Sequence, residues 1–349
     1  MARPIVNRAL RFTLPGADLD IVENDIDTVP ANEILIKVHA ASISPIDIQL
    51  WRSKLVGVVA GDKGMGRDFS GTVVEVGANV KGWNQGDDIF GMILGVFGGG
   101  TFSEYITINP ASHPTAKKPN CLTHEQAASI PLVALTAYAC LDWLPPSTGS
   151  QRKVIVTGAS GGTGMWLVQL AKVAYDCHVT AICSGKNRSF VEDLGADEVI
   201  DYTSQDIVSN LESRRASGGQ FDLLVDCVGG TELLGSYEQL LHTKGAYVTI
   251  VGDKADVKTL GGPVTYFNTP AQVIRYIKGW IWGPRYACVS LMTKSEYLEK
   301  IVGLAERGEV RAEVQEVIEG AFDERQAWRK ATRAMEEKRT RGKIVLAIP

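Results

Sequence analysis

The stretch VIVTGASGGTGMWLVQLAK, from Val154 to Lys172, runs a β-branched strand into a glycine-rich turn and out into an amphipathic helix. No other part of the chain restricts the fold as much. A strand-to-helix corner needs one glycine, and this one has four: Gly158, Gly161, Gly162 and Gly164. Residues without a Cβ let a ligand approach the backbone, and the N–H groups of Gly161 to Gly164 stand at the positive end of the helix, where an anion is stabilised. The spacing departs from G-x-G-x-x-G because Ala159 and Ser160 precede the glycine pair. The strand–turn–helix context that gives such a motif its meaning is nonetheless present, which favours a nucleotide phosphate over a plain corner.

The surrounding text supplies the sheet. KVIVTGA, HVTAICS, EVIDY, FDLLVDCV and GAYVTIVG read as strands, separated by MWLVQLAKVAYD, RSFVEDLGA, QDIVSNLESRRAS and ELLGSYEQLLHT as helices. That alternation predicts βαβ units on a parallel sheet. Upstream of residue 120 the rhythm is different, with EILIKVHAASI, GTVVEVG, DDIFGMIL and FSEYITIN as short strands between glycines, which predicts a small β domain of partly closed barrel type. Between them, Thr123 and Gln126 form a capping-box start, and Pro131 divides the following helix into two pieces. Further on, Thr269-Pro270 opens a helix that stops at Gly283-Pro284, YACVSL reads as a strand, and SEYLEKIVGLAERG as a helix closed by Gly308. The tail gives two β pieces around the helix QAWRKATRAMEEK, the last strand being KIVLAI.

A chain of 349 residues fits two domains. Its formal charge of −4 argues against nucleic acid or anionic lipid as the main partner, leaving a small molecule. No apolar run reaches the ~18 residues of a membrane span, and MARPIVNRALRFTLPG lacks a secretory core, so a cytoplasmic location is expected. The six cysteines contain no C-x-x-C pair and the five histidines are dispersed, so no metal site is expected and the thiols read as small buried hydrophobes.

The end of the strand after the glycine turn selects the cofactor. An acid there would bind a ribose 2′-OH and favour NAD. Here the text is AICSGKNRS, in which Ser184, Lys186, Asn187 and Arg188 offer donors and no acid occurs before Glu192. Such donors suit a 2′-phosphate, so NADPH is the expected cofactor.

Taken together, GRDFSGTVVEVG, IPLVALTAYACL, VTGASGGTG, CSGKN, LGADEVIDY and RGKIVLAI resemble the zinc-free branch of the medium-chain dehydrogenase/reductase superfamily over nearly the whole chain. Within it the chain is most similar to quinone oxidoreductase and enoyl reductase-like proteins, including the group of the mitochondrial reticulon-4-interacting protein and fungal reductases of secondary metabolism. The resemblance implies an α/β protein with a GroES-like β-barrel catalytic domain at 1–124 and 309–349 and a Rossmann cofactor domain, a doubly wound parallel sheet, at 125–308. It further implies Ser160, Gly161, Gly162, Thr163 and Gly164 on the pyrophosphate, and Ser184, Lys186 and Asn187 on the 2′-phosphate. Tyr202 is implied near the adenosine, with Thr136, Val228, Val251 and Gly252 near the nicotinamide; for the valines, core packing is an equal alternative. Zinc alcohol dehydrogenases have Gly-His-Glu where this chain has Gly66-Arg67-Asp68, and residues 80 to 115 hold no cysteine.

With a nicotinamide and no metal, the expected reaction is hydride transfer from NADPH to the β-carbon of a conjugated enone or enoyl group, or to a quinone. The family motif Asn-Pro-x-Asp followed by Tyr or Lys is here Ser44-Pro45-Ile46-Asp47-Ile48-Gln49. Ser44 keeps a donor, Asp47 keeps the acid, and Gln49 has no transferable proton near neutral pH. An NADPH-binding sensor or scaffold with little turnover is the alternative that this departure motivates. Lys343 in RGKIVL reads either as a cofactor contact from the returning tail or as a solvated strand start. Tyr276, Trp280, Trp282 and Trp51 read either as an aromatic wall with the 268–284 segment as a lid, or as subunit or core packing. Monomer and homodimer both remain open.

Overall fold

The glycine-rich turn follows the strand Lys153–Thr157, which lies inside a six-stranded sheet of a computed structural model. The model describes residues 5–53, 62–95, 98–254, 256, 258, 261–289, 294–322, 326–337 and 340–349. Across the sheet the order is Glu198–Asp201, His178–Cys183, Lys153–Thr157, Phe221–Asp226, Leu241–Thr249 and Arg285–Cys288, with every pairing parallel. The inner strands are near-continuous apolar runs such as VIV and LLV because helices cover both faces, as all-parallel sheets require. The chain winds outward from Lys153–Thr157 in one direction, then crosses to Phe221–Asp226 and winds in the other. The order reverses between Lys153–Thr157 and Phe221–Asp226, and the crevice beyond the carboxyl ends of strands at such a reversal is where open α/β sheets hold their ligands.

Most expected elements are present, with informative differences. ELLGSYEQLLHT is not one helix: a 3-10 turn Glu232–Gly235 gives way to the short helix Tyr237–Leu240, and Leu241 already enters the strand Leu241–Thr249. Gly235 is a poor helix interior, and Leu240 and Leu241 are both buried, which suits a strand entry into the core. Thr269 precedes the helix Pro270–Trp282 but makes no side-chain cap; Gln272 N donates to its carbonyl instead, at 2.9 Å. Of YACVSL, the strand comprises Arg285–Cys288, while Ser290 and Leu291 lie outside the described residues. The helix expected through Lys338 spans Gln326–Glu336, with Glu337 already in a turn and Lys338 outside the described residues.

The β-rich part contains a seven-stranded sheet in the order Val314–Ile318, Lys343–Ala347, Ile34–Ile43, Asp68–Val76, Asp88–Met92, Thr115–Lys117, with Tyr105–Ile108 pairing to Ile34–Ile43. It also contains a three-stranded sheet centred on Ile5–Phe12, a strand whose interrupted polar alternation hid it from sequence reading. The tail strand Lys343–Ala347 pairs antiparallel with Ile34–Ile43, so the chain's last strand returns to the first domain's sheet. Thr123 and Gln126 cap reciprocally, with Gln126 N on Thr123 Oγ1 at 3.2 Å and Thr123 N on Gln126 Oε1 at 3.0 Å. Helices His124–Ala128 and Pro131–Leu141 are the two pieces expected around Pro131.

The described residues of Met1–Leu132, Val257–Thr259 and Thr293–Pro349 form one compact unit, and those of Val133–Asp256 and Leu260–Met292 the other. The helices His124–Ala128 and Ser295–Glu306 belong to the first unit, the latter through contact with Thr115–Lys117, where Thr115 N donates to Ser295 Oγ at 3.2 Å. No helix among the described residues is long and apolar enough to cross a membrane.

Candidate active site

In the parallel-sheet unit, the backbone leaves Lys153–Thr157 through Gly158 at φ +59°, and Gly161 is the N-cap of the helix Gly162–Val173. Gly164 lies so close to the turn that an added Cβ would stand 2.2 Å from Gly158 O and 2.7 Å from Ala159 Cα. The glycine therefore sets the helix directly on the strand end. The N–H groups of Gly162, Thr163 and Gly164 belong to the first helical turn, which has no intrahelical acceptor for them. Ser160 to Thr163 are only half-buried, so an anion can reach this turn.

The second cluster forms at the end of His178–Cys183, where Ser184 precedes a 3-10 turn Gly185–Asn187. Asn187 Nδ2 donates to Ser160 Oγ at 2.9 Å and to Ser184 Oγ at 3.4 Å, joining this corner to the glycine turn. Lys186 is exposed at its rim. Arg188 turns away, donating to Val199 O at 3.1 Å and pairing with Glu192. Asp201, unremarked in the sequence, shapes the corner: it accepts from Gly185 N at 2.8 Å, Thr203 Oγ1 at 2.7 Å, Thr203 N at 3.0 Å and Ser204 Oγ at 2.9 Å. These bonds, Thr203's first, hold its carboxyl down to about 2. A Cβ on Gly185 would meet Asp201 Oδ2 at 2.4 Å, so any larger residue there must push this carboxylate aside. Tyr202 projects into solvent beside it.

At the crevice itself the organising residue is Asp226, also missed from sequence. Buried at the end of Phe221–Asp226, it accepts from Thr157 Oγ1 at 2.9 Å, Tyr247 OH at 3.1 Å, Thr249 Oγ1 at 3.3 Å, and the backbone N–H groups of Val228 and Gly229, each at 3.1 Å. Thr249 Oγ1 in turn receives Val251 N at 3.2 Å and Gly252 N at 2.9 Å, with Gly252 at φ +86°. Val228, Val251 and Gly252 thus sit on loops tied to one buried carboxylate, and Val228 is exposed rather than core-packed. Thr136 is buried within Pro131–Leu141. The sequence signal for Asp226 was an acid closing an otherwise apolar strand.

In the β-rich unit, Ser44 is the N-cap of the helix Pro45–Arg52, with proline at the first helical position. Ser44 N donates to Asp47 Oδ2 at 2.8 Å. The other oxygen, Asp47 Oδ1, is buried with no hydrogen-bond partner and borders a small cavity lined also by Phe12, Trp51, Met65 and Arg67. Burial pushes the Asp47 carboxyl up to about 6, more than the neighbouring Arg67 draws it down. Gln49 is buried on the same helix.

Lys343 is neither solvated nor alone. Its ammonium is buried, donates to Ser44 Oγ, and lies 3.3 Å from Asp68 Oδ2. Asp68 is held by Ser42 Oγ at 2.9 Å on the same oxygen and by Leu132 N at 2.9 Å on the other; burial pushes its carboxyl up despite Lys343. This arrangement can hold a polarised hydroxyl at Ser44, because a cation at its oxygen strengthens its own O–H as a donor. Among the described residues no group of three His, Cys, Asp or Glu side chains could hold a metal ion.

Comparison with known proteins bears on the family and the fold. Residues 30–120 match the alcohol dehydrogenase GroES-like domain and residues 194–346 the zinc-binding dehydrogenase family. The chain is 36% identical over 313 residues to the NAD(P)H oxidoreductase RTN4IP1, mitochondrial, of Bos taurus, covering 83% of this chain and 76% of that one. It is 31% identical over 323 residues to the chloroplast envelope quinone oxidoreductase homolog of Arabidopsis thaliana, covering 87% and 88%. Among solved structures, the quinone oxidoreductase from Coxiella burnetii superposes with a TM-score of 0.79 at 25% identity, covering 99% and 100%. The CurK enoyl reductase, at 21% identity and a TM-score of 0.78, shares the fold.

Proposed function

Because the chain belongs to the medium-chain dehydrogenase/reductase family, we propose that it is an NADPH-dependent, zinc-independent reductase that delivers hydride to a conjugated carbonyl compound or a quinone. The observation that carries this reading is the Asn187 amide bridging Ser160 and Ser184, which unites the pyrophosphate turn and the 2′-phosphate corner into one polar surface, beside which the Asp201 carboxylate is already engaged by Gly185 N, Thr203 and Ser204. NADPH, when bound, supplies the hydride. Gly162 to Gly164 take its pyrophosphate on their N–H groups, and Ser184, Asn187 and Lys186 take the 2′-phosphate through charge-assisted bonds. The backbone loops at Val228, Val251 and Gly252 line the nicotinamide half.

Zinc does not fit. The family's metal would need thiolate, imidazole or carboxylate ligands converging on one point. Positions 44, 67 and 68 are serine, arginine and aspartate, and the Lys343 ammonium already lies against both Ser44 and Asp68. A second cation there would be repelled. In the reaction we propose, Ser44, its hydroxyl polarised by Lys343, donates to the acceptor's carbonyl oxygen as negative charge builds on it. Gln49 orients without giving a proton, so water protonates the carbon next to the carbonyl.

Reduction of a simple enone with unlabelled NADPH in deuterated buffer tests the reading. Deuterium is expected next to the carbonyl and protium at the β-carbon, with activity surviving exhaustive chelation. NADPH should bind more tightly than NADH, and Lys186→Glu should narrow or reverse that preference. Equal affinity of the unmodified protein for both cofactors overturns the 2′-phosphate assignment, and one tightly held zinc per chain overturns the metal-free chemistry.

A further inference from the structure

The helix Pro270–Trp282 turns its tryptophans outward and polar side chains inward. Trp280 and Trp282 are exposed, whereas Gln272 is fully buried and the Arg275 side chain is 19% exposed. The two inward residues meet the stretch Thr249–Asp253, which leaves the strand Leu241–Thr249 and carries Val251 and Gly252. At Gly252 a Cβ would stand 2.7 Å from Thr265 Oγ1 and 3.0 Å from Gln272 Nε2, so these side chains close directly on the backbone. One residue on, Arg275 Nη2 donates to both oxygens of Asp253, each at 2.5 Å, and Tyr286 OH donates to Asp253 Oδ1 at 3.4 Å.

These contacts close into a ring. Asp226 receives Thr249 Oγ1 and Tyr247 OH. Tyr247 stacks on Tyr286 with ring centroids 5.6 Å apart and planes at 13°, and the Arg275 guanidinium lies 5.0 Å from the Tyr286 centroid while it holds Asp253. The stretch is thereby fixed at both ends by carboxylates, at Thr249 by one it meets and at Asp253 by one it carries. Between them, Val251 N and Gly252 N share a single acceptor, Thr249 Oγ1, and Gly252 has no side chain of its own to pack. A segment so lightly held frays when one end is released. We propose that Arg275 is a positioning residue, which through Asp253 keeps Val251 and Gly252 in the course that receives the nicotinamide, without itself touching the cofactor. This rests on the nicotinamide placement under the function proposed above. The glycine turn and the CSGKN corner hang from other strands, Lys153–Thr157 and His178–Cys183, and take no part in the ring. Arg275 therefore governs one half of the cofactor and not the other.

Hydrogen exchange of the unliganded full chain reads the anchor directly. In Arg275→Met the Val251 and Gly252 amides should exchange about tenfold faster or more, while those of Val228 and Gly229, held by Asp226, keep their rates. Titration reads the consequence. If the ordered course is populated about a tenth of the time, NADPH affinity falls about tenfold. Adenosine 2′,5′-bisphosphate, which lacks the nicotinamide half, should bind as it does to the unmodified protein; a merely structural loss would weaken both ligands alike. Asp253→Asn, which breaks the pair from its other side, should behave in the same way and serves if Arg275→Met misfolds. Lys278→Met removes the exposed Lys278–Glu238 pair from the same helix and should alter neither reading. Unchanged exchange at Val251 and Gly252 in both anchor variants overturns the proposal, as does an equal loss of both ligands or the same response from Lys278→Met. Faster exchange in the variants of a protein that, unmodified, binds no NADPH overturns the cofactor reading itself, and leaves Arg275 a structural anchor only.

Discussion

Lys343 donates to the hydroxyl of Ser44 from 299 positions further along the chain, and the same ammonium lies 3.3 Å from Asp68. Both charged partners are buried. Lys343→Met should therefore destabilise the fold by about 3–5 kcal/mol, because it strands a buried carboxylate. The double variant Lys343→Met/Asp68→Asn should recover most of that loss. Guanidinium unfolding of the two decides; a single-variant cost below about 1 kcal/mol would mean that Asp68 is uncharged in the folded protein.

Asp47 sets a pH dependence of one sign. With its carboxyl raised from 3.8 to about 6, the folded protein holds this proton more tightly than the unfolded chain does. Its contribution is full below the ordinary carboxylate range and lost as pH rises through about 6. Asp47→Asn keeps an acceptor for Ser44 N and removes the buried charge. It should stabilise the protein near pH 7.5 by on the order of 1–3 kcal/mol, partly offset at Arg67, and by little near pH 4. Equal effects at both pH values in urea melts would refute this account.

A histidine pair works in the opposite sense. The rings of His39 and His124 are 4.5 Å apart, and burial pushes both imidazoles below their ordinary range. The folded state then binds protons less readily than the unfolded chain, so stability present above the ordinary histidine range is lost as pH falls through it. His124→Gln, which can still meet Ser70 Oγ, should flatten the acid limb of the stability curve; an unchanged limb argues that neither ring titrates on unfolding.

Gly164→Ala drives a Cβ into backbone atoms that cannot swing aside. A loss of about 1–3 kcal/mol in stability is expected, together with at least about a tenfold loss in NADPH affinity through displacement of the first helical turn. Gly235→Ala, which meets open space, is the matched control in thermal melts and cofactor titration. Wild-type NADPH affinity in Gly164→Ala would remove the turn from the binding site.

What could be read in advance was local. The turn from Gly158 to Gly164 is contiguous, so its glycines announce a close approach before any fold is known, and the donors of CSGKN can likewise be read straight off the chain. Asp226 gave only a faint sign, an acid closing an apolar strand, and Asp201 none, because the contacts that give them their roles, Thr157, Tyr247 and Thr249 for the one and Gly185 N for the other, lie on or just after neighbouring strands whose adjacency exists only in the assembled sheet. Lys343 was ambiguous for the same reason: nothing near RGKIVL reveals that Ser44 and Asp68 will stand against it. The split of ELLGSYEQLLHT reflects a tertiary preference, the burial of Leu240 and Leu241, overriding a helical pattern.

The Asp226 carboxylate grips its neighbours by hydroxyls and main-chain N–H groups alone, never by the side chains of Val228, Gly229 or Val251. Path and surface are thereby uncoupled: the course of the crevice loops is anchored from below, whereas the groups they display are left unconstrained. In the site proposed above, replacing Val228 or Val251 would therefore change the groups displayed there while leaving the course of the loops as it is. Replacing Asp226 would loosen three strand ends at once, and no adjustment of the displayed side chains would restore them.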